Sequence, residues 1–390
     1  MNEAYIVAAV RSAAGRRGGR LKDWHPVDLA AAVIDALLDR SGADPDIIDD
    51  VFLGCVGQVG EQSTNVGRNA VLASRLPEAV PGTTVDRQCG SSQQALHFAA
   101  QAVMAGAMDI VIAAGVESMS RIPMGLSQTL PANNGYGRYM SARMQARYPE
   151  VVFNQFKSAE RIGCEHHLTK EDFDQFGFES QMKAANATKG GCFEAEILPL
   201  EVTLPDGTRD LHKTDEGIRF DATLEAIRGV KPIIEGGILT AATSSQMGDA
   251  AAGLMVVNDR GLKMLGVKPL VRIHHMSVMG GDPIVMLDVP LAATDRALAR
   301  AGMTIGDIDL YEVNEAFAPI PLAWLRHTGA DPTKLNVHGG AIALGHPLGS
   351  SGAKLMTTLI HALHRSGKRF GLQTMCEGGG LANVTIVERL

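Results

Sequence analysis

Three residues spread along this chain are of types that together can do nucleophilic and acid–base chemistry: Cys89, His346 and Cys376. Cys89 follows the β-branched run Thr83-Thr84-Val85, which reads as the end of a strand. Cys89-Gly90 then turns the chain, and Ser91 and Ser92 are good N-cap candidates for a following helix. From Ser91 to Gly106 there is no Asp, Glu, Lys or Arg, and a helix without a charged face is usually buried. The elbow thus places Cys89 at the positive end of a buried helix dipole, where a thiolate is stabilised. Taken alone, a buried structural cysteine is the commoner fate of such a residue. His346 lies in the glycine-rich stretch from Asn336 to Gly352, directly before a second buried helix, and Cys376 ends an apolar strand before Glu377-Gly378-Gly379-Gly380. A lone loop histidine is more often on the surface, and a run of glycines is more often a turn. Whether the three meet depends on the elements that carry them.

Those elements repeat. Arg40-Ser41-Gly42 closes a helix before a strand at Val51, and Arg300-Ala301-Gly302 does the same before a strand at Tyr311, 260 residues on. Gly90-Ser91-Ser92 opens one buried helix and Gly349-Ser350-Ser351 the other, at an offset of 259. Each helix ends at a glycine, Gly106 or Gly367, and an apolar strand follows: Asp109–Gly115 or Phe370–Cys376. Four matches in one order at a nearly constant offset indicate a duplicated α/β unit. His346 then holds approximately the position of Cys89 in the second copy, and a pseudo-twofold brings both elbows and both strand ends to one cleft. The second copy occupies 269–390, the first lies within 1–268, and residues 119–249 are surplus to it. This insertion is broken by Pro123, Pro131, Asn133-Asn134-Gly135 and Pro149, with short helices expected at 158–167 and 170–188. Beside a reactive elbow it is a natural lid or binding domain.

Composition narrows the function classes. The 390 residues suggest two to three domains, and 45% apolar with 20% charged residues is the balance of a soluble globular protein. A net charge of −7 argues against a general nucleic-acid or anionic-membrane surface. No apolar run reaches the ~20 residues of a membrane span. The N-terminal stretch from Met1 reads as mature sequence, because Glu3 comes early and Tyr5–Val10 reads as a strand. The five cysteines (Cys55, Cys89, Cys164, Cys192, Cys376) are odd in number with no CxxC pair, which fits a reducing, cytoplasmic location without a disulfide framework or zinc site. The pairs His166-His167 and His274-His275 have no matching ligand set. Glu315, in Asn314-Glu-Ala-Phe-Ala318, reads equally as a base or a solvated loop charge.

The motifs VDRQCGSSQQA, GVESMS (115–120), NEAFA (314–318), GGAIALGHPLGSSG (339–352) and CEGGG (376–380) resemble the thiolase family, the acyl-CoA acetyltransferases or 3-ketoacyl-CoA thiolases. The resemblance covers essentially the whole chain. It implies a duplicated five-layered α/β/α/β/α fold with an inserted loop domain. It also implies ping-pong cleavage of 3-ketoacyl-CoA to acetyl-CoA and a shortened acyl-CoA, with coenzyme A as co-substrate, no tightly bound cofactor and no metal. Cys89 matches the nucleophile that takes the acyl group, His346 the histidine that activates it, and Cys376 the acid/base. Asn314 matches the asparagine that holds a water, which with His346 makes one oxyanion site; the N–H groups of Cys89 and Gly378 make the other. Ser245 matches a pantetheine contact and Arg219 a residue near the nucleotide end of coenzyme A. A homodimer or homotetramer is implied.

The chemistry suits these residues. An enolate must form, so oriented donors at its oxygen are the largest expected contribution, ~3 kcal/mol each. A thiol nucleophile keeps exchange with another thioester reversible. Four positions depart from the usual pattern and border substrate space: His338, Glu377, Asp249-Ala250-Ala251 and Asn154. DRQCGSSQQ and MCEGGG look more like degradative members from actinobacteria, some acting on steroid or other bulky acyl-CoAs. The alternatives are an acetoacetyl-CoA-forming biosynthetic thiolase and a non-catalytic acyl-CoA or lipid-binding protein of the same fold. A decarboxylating ketoacyl synthase shares the fold but lacks the C-terminal cysteine, so Cys376 speaks against it.

Overall fold

The computed structural model describes residues 3–390; Met1 and Asn2, the first residues of the N-terminal stretch, lie outside them. Nine strands position the site: β1 (Tyr5–Ser12), β2 (Asp50–Gly54), β3 (Gly82–Val85), β4 (Ile110–Ser118), β5 (Gly248–Val257), β6 (Val271–Gly280), β7 (Leu310–Val313), β8 (Phe370–Glu377) and β9 (Leu381–Arg389). They lie side by side in the order β7-β8-β9-β6-β1-β5-β4-β2-β3. The pairings occur twice. β1–β5 and β5–β4 are antiparallel, β4–β2 and β2–β3 parallel. In the same sequence β6–β9 and β9–β8 are antiparallel and β8–β7 parallel, and Tyr311 on β7 bridges in parallel to Leu335 where the first set has β3. The two sets join edge to edge through Tyr5↔Arg272 and Ile6↔Val271.

Six helices matter here: α1 (Pro26–Ser41), α2 (Ser91–Met104), α3 (Lys170–Lys189), α4 (Val289–Ala301), α5 (Pro319–Thr328) and α6 (Ser351–Ser366). α1 covers the outer face of the first strand set, with Val33 and Leu37 against Val10, Ile112 and Met255. α4 and α5 cover the second, with Leu291 and Trp324 beside Leu372 and Ile386. Between the sets lie α2 and α6, where Leu96, Ala99, Met356 and Ile360 meet Val111, Leu254, Ile273 and Val387. That is a five-layered α/β/α/β/α arrangement. The missing charges on α2 are explained by this double burial, since each large apolar side chain sealed there contributes ~1.5–3 kcal/mol and one carboxylate would undo several. β4 is buried on both faces for the same reason: Ile110, Ile112 and Ala114 enter the outer core, Val111 and Ala113 the central one.

The helix ends follow the repeat, with Gly42 after α1 (φ 64°) and Gly302 after α4 (φ 67°) both left-handed caps. At Gly115 a Cβ would stand 2.2 Å from the Gly349 carbonyl oxygen, so only glycine lets β4 approach the loop behind His346.

Three expectations need correction. Ser91 and Ser92 do not cap α2; Gly90 is its N-cap residue, without a side-chain cap. The elbow is too tight for a conventional cap: Gln88 has φ 50° and Arg87 bridges to Cys89. Ser91 Oγ instead accepts from Arg87 N–H at 2.9 Å and donates to the Gln88 carbonyl, while Ser92 Oγ accepts from Ala353 N–H of α6 at 2.9 Å. Second, the same bridge recurs at Val337↔Gly339, so Gly339 is the counterpart of Cys89. A helical turn (Ala341–Leu344) and His346 lie between that elbow and α6. Third, the segment read as broken contains helices at Leu126–Asn133 and Ala142–Arg147. Pro131 is tolerated late in the first because it interrupts one backbone bond in a helix that buries no side chain. The expected helices beyond them are Gln155–Glu165 and α3.

The chain leaves β4 at Ser118 and returns at Gly248, whereas the equivalent strands β8 and β9 are joined by Gly378–Gly380 alone. Among the described residues no helix is long and apolar enough to cross a membrane.

Candidate active site

The glycine-rich loop that carries His346 is gripped from several sides. Its backbone N–H donates to the Gln246 carbonyl at 2.7 Å. Ser351, in the first turn of α6, donates its single hydroxyl proton to the Pro347 carbonyl (2.8 Å), so its oxygen accepts from His346 Nδ1–H at 2.6 Å. We assign the Nδ1–H tautomer on that bond, which leaves the lone pair on Nε2, 3.3 Å from Asn314 Nδ2. Asn314 Oδ1 has no hydrogen-bond partner among the described residues. Asn314 is placed by the end of β7, its backbone N–H donating to Thr374 on β8 at 3.1 Å. Two residues along β8 stands Cys376.

Cys89 packs with Leu348 of the histidine loop, Leu355 of α6 and Met375 of β8. Its sulfur is approached by its own N–H and that of Gly378. The structure therefore brings Cys89, His346, Cys376, Asn314 and Gly378 into one buried locus. Burial and then Glu377 push the Cys89 thiol up to about 12, against the two backbone donors. The expected thiolate stabilised by the helix end is overturned by desolvation in the free protein. Cys376 is pushed well above the usual thiol range by burial, then by Cys89 and Glu377. Burial, then the Lys354 ammonium, lowers His346 to about 3. The resting site thus holds two thiols and a neutral imidazole.

The two residues expected to contact coenzyme A lie further out. Ser245 is half-buried, its N–H donating to Ala316 of the NEAFA segment at 2.9 Å, one residue before the Gln246 that holds His346. Arg219 is exposed, its N–H donating to Gln181 Oε1 at 2.8 Å. Gln246 Nε2 joins the two regions by donating to Gly217 (2.8 Å) and Ile342 (2.7 Å) carbonyls.

Of the departures, Asn154 caps the helix Gln155–Glu165 by accepting from Lys157 N–H, and Asp249 accepts from Ser120 N–H at 2.8 Å. His338 stands edge-on to Phe193, over which the Arg11 guanidinium also lies. Glu377 is the departure that acts on Cys89: fully buried, both oxygens without a hydrogen-bond partner among the described residues, and so close to Gly90 that a Cβ there would overlap Oε1.

Sequence reasoning missed several supports. Glu315 is neither base nor solvated charge: it accepts from Ser180 Oγ (2.6 Å), Asn336 Nδ2 (2.9 Å) and Ile342 N–H (3.1 Å), locking the histidine loop to α3. Glu117 accepts from Val56, Gly57 and Gly349 N–H groups. Ser351 follows His346 within the same motif, and that proximity was the available signal; Lys354 lies past the motif's end at Gly352.

The family models for the thiolase N-terminal domain and the thiolase C-terminal domain match residues 4–260 and 267–389. A steroid 3-ketoacyl-CoA thiolase of Mycobacterium tuberculosis is 47% identical over all of this chain and 95% of that protein. A 3-oxoadipyl-CoA/3-oxo-5,6-dehydrosuberyl-CoA thiolase of Escherichia coli is 40% identical over the full length of both. The crystal structure of the Bacillus anthracis acetyl-CoA acetyltransferase superposes with a TM-score of 0.91 at 34% identity, covering 100% of this chain and 99% of that one. The chain belongs to the thiolase family. It is an acyltransferase with the thiolase fold.

Proposed function

We propose that this thiolase works in the degradative direction, cleaving 3-ketoacyl-CoA with coenzyme A as co-substrate through an acyl group carried on Cys89. The observation that carries the reading is the 2.6 Å contact of His346 Nδ1 with Ser351 Oγ: with Nδ1–H assigned to that bond, Nε2 is a base. Because thiol and imidazole both rest neutral, the proton leaves Cys89 as its sulfur attacks the substrate's C3 carbonyl, not before. The C2–C3 bond then breaks with its electron pair on C2, and the acyl group stays on sulfur. Cys376 protonates C2, giving acetyl-CoA; it next takes the proton of the incoming coenzyme A thiol, which attacks the thioester and restores Cys89. A thiol is better matched to both transfers than an ordinary carboxylate, which is a poor acid at neutral pH. The Cys89 and Gly378 N–H groups serve one oxyanion, and His346 with a water on Asn314 the other.

On this reading Ser245 contacts pantetheine and Arg219 the nucleotide end of coenzyme A. Residues 1–268 and 269–390 form the two halves, with 119–249 as the loop domain; the repeated strand pairing supports that division. A cytoplasmic homodimer or homotetramer completes the proposal. The substrate test is thiolysis of a 3-ketoacyl-CoA ladder from acetoacetyl-CoA to long and ring-bearing chains. Higher kcat/KM on bulky chains is the expected result, in line with what the mycobacterial relative is named for. A steep preference for acetoacetyl-CoA would overturn the degradative assignment.

A further inference from the structure

The first turn of α6 holds a second group aimed at the histidine loop. Lys354 is 2% exposed, and its ammonium donates to the Leu344 carbonyl at 2.7 Å and reaches the Gly345 carbonyl at 3.4 Å. These are the two peptide units immediately before His346. Leu344 ends a one-turn helix, whose last carbonyls lack partners within it and present negative charge. One buried cation therefore does for the near side of the loop what Ser351 does for the imidazole itself.

A buried ammonium needs counter-charge, and the fold supplies it from two carboxylates, Asp215 and Glu196. Arg11 on β1 pairs with Glu196 (2.5 Å) and Asp215 (2.8 Å), and both carboxylates also act on Lys354. Glu312 on β7, two residues before Asn314, faces the same cluster; burial and then Glu315 hold its carboxyl well above the usual range. With Glu312 protonated, Arg11 and Lys354 balance Glu196 and Asp215. The cluster thus links the histidine loop to the strand that presents Asn314.

We infer that Lys354 is a positioning residue of the acyl-transfer reaction: it fixes the peptide units on which His346 is mounted, and so sets where Nε2 stands relative to Cys89 and Asn314. The inference rests on the base role given to His346 above. It has an electrostatic consequence. The groups that face the histidine loop are Ser351 and Lys354 from α6, Asn314 and Glu315 after β7, Glu117 on β4, Cys89 at the head of α2 and Cys376 on β8, and burial raises both carboxyls. Among these only Lys354 acts as a charge on the imidazole: burial lowers its ammonium to about 8, and below that pH it opposes a proton on His346. A charge at this range moves a neighbour's titration by about one pH unit or more.

The test compares Lys354→Met, Lys354→Gln and Lys354→Arg with His346→Ala, each checked for fold by circular dichroism at every pH and assayed for thiolysis from pH 3 to 9, a range that spans the low titration of His346. Lys354→Met is expected to lose kcat tenfold or more, with the KM for coenzyme A within twofold, and its acid limb is expected to rise by about one pH unit. Lys354→Gln, which keeps a donor but no charge, is expected to recover part of kcat with the raised limb. Lys354→Arg is expected to restore both. Wild-type kcat and acid limb in Lys354→Met, beside an inactive His346→Ala, would overturn this inference and leave the site reading intact. Activity in His346→Ala would overturn the site reading itself. Failure of all three Lys354 variants to fold would assign the residue to the core alone and also overturn the inference.

Discussion

Replacing Ser351 by alanine removes one oxygen, yet it strikes the bond that decides which imidazole nitrogen is the base. The hydroxyl sits 2.6 Å from His346 Nδ1 and 2.8 Å from the Pro347 carbonyl, and Ser351 is 3% exposed. In Ser351→Ala the buried Nδ1–H has no partner, a loss worth ~1–3 kcal/mol for a neutral group. Before the reaction the imidazole can relieve this by moving its proton to Nε2, which abolishes the base. In the transition state it must carry both protons, so most of the cost falls there. Kcat/KM for thiolysis is then expected to drop roughly 5- to 150-fold, at about 1.4 kcal/mol per decade. The KM for coenzyme A should stay within twofold, because Ser351 is separated from Ser245 and Arg219 by the histidine loop. Initial rates of 3-ketoacyl-CoA loss at saturating and limiting coenzyme A measure both quantities. An unchanged kcat/KM in a folded Ser351→Ala variant would refute the tautomer argument.

Two further outcomes follow from the same geometry. Glu377 is buried without partners, and burial raises its carboxyl well above the usual range; the folded state therefore holds a proton that the unfolded state releases, and stability falls as pH rises above about 4.5. Glu377→Gln should accordingly melt higher than wild type at pH 8 and indistinguishably at pH 4, by differential scanning calorimetry, and a variant less stable at pH 8 would contradict this. Arg219→Ala and Ser245→Ala should raise the KM for coenzyme A several-fold with kcat nearly kept, by steady-state kinetics; a fall in kcat alone would remove both from the coenzyme path.

The sequence revealed most where one local feature answers to one physical demand. The uncharged run from Ser91 to Gly106 had to be a buried helix, and α2 lies between the two strand sets. The apolar run Asp109–Gly115 had to be covered on both faces, and β4 is. Where two demands competed, the reading failed. Cys89 stands at a helix end, which favours a thiolate, and in a buried site beside Glu377, which opposes it; only the packed structure shows that burial wins. Ser91 and Ser92 have the right type and place for a cap, but the elbow takes one and α6 the other. Lys354 gave no signal of its role, because a lysine ordinarily reaches solvent even from a buried helix and its counter-charges come from distant residues, Asp215 and Glu196. Glu117 and Glu315 likewise act on backbone N–H groups from distant segments, and such contacts leave no local pattern.

The central claim is that the acyl group passes through the Cys89 sulfur, and intact-protein mass spectrometry tests it most directly. Enzyme mixed with a 3-ketoacyl-CoA in the absence of coenzyme A should gain the mass of the shortened acyl group, mapped by proteolysis to the peptide containing Cys89. Added coenzyme A should discharge it as acyl-CoA. In Cys376→Ser the same adduct should form from a simple acyl-CoA but not from the 3-ketoacyl-CoA. An adduct that persists in Cys89→Ser, or thiolysis by that variant at an undiminished rate, would contradict the account.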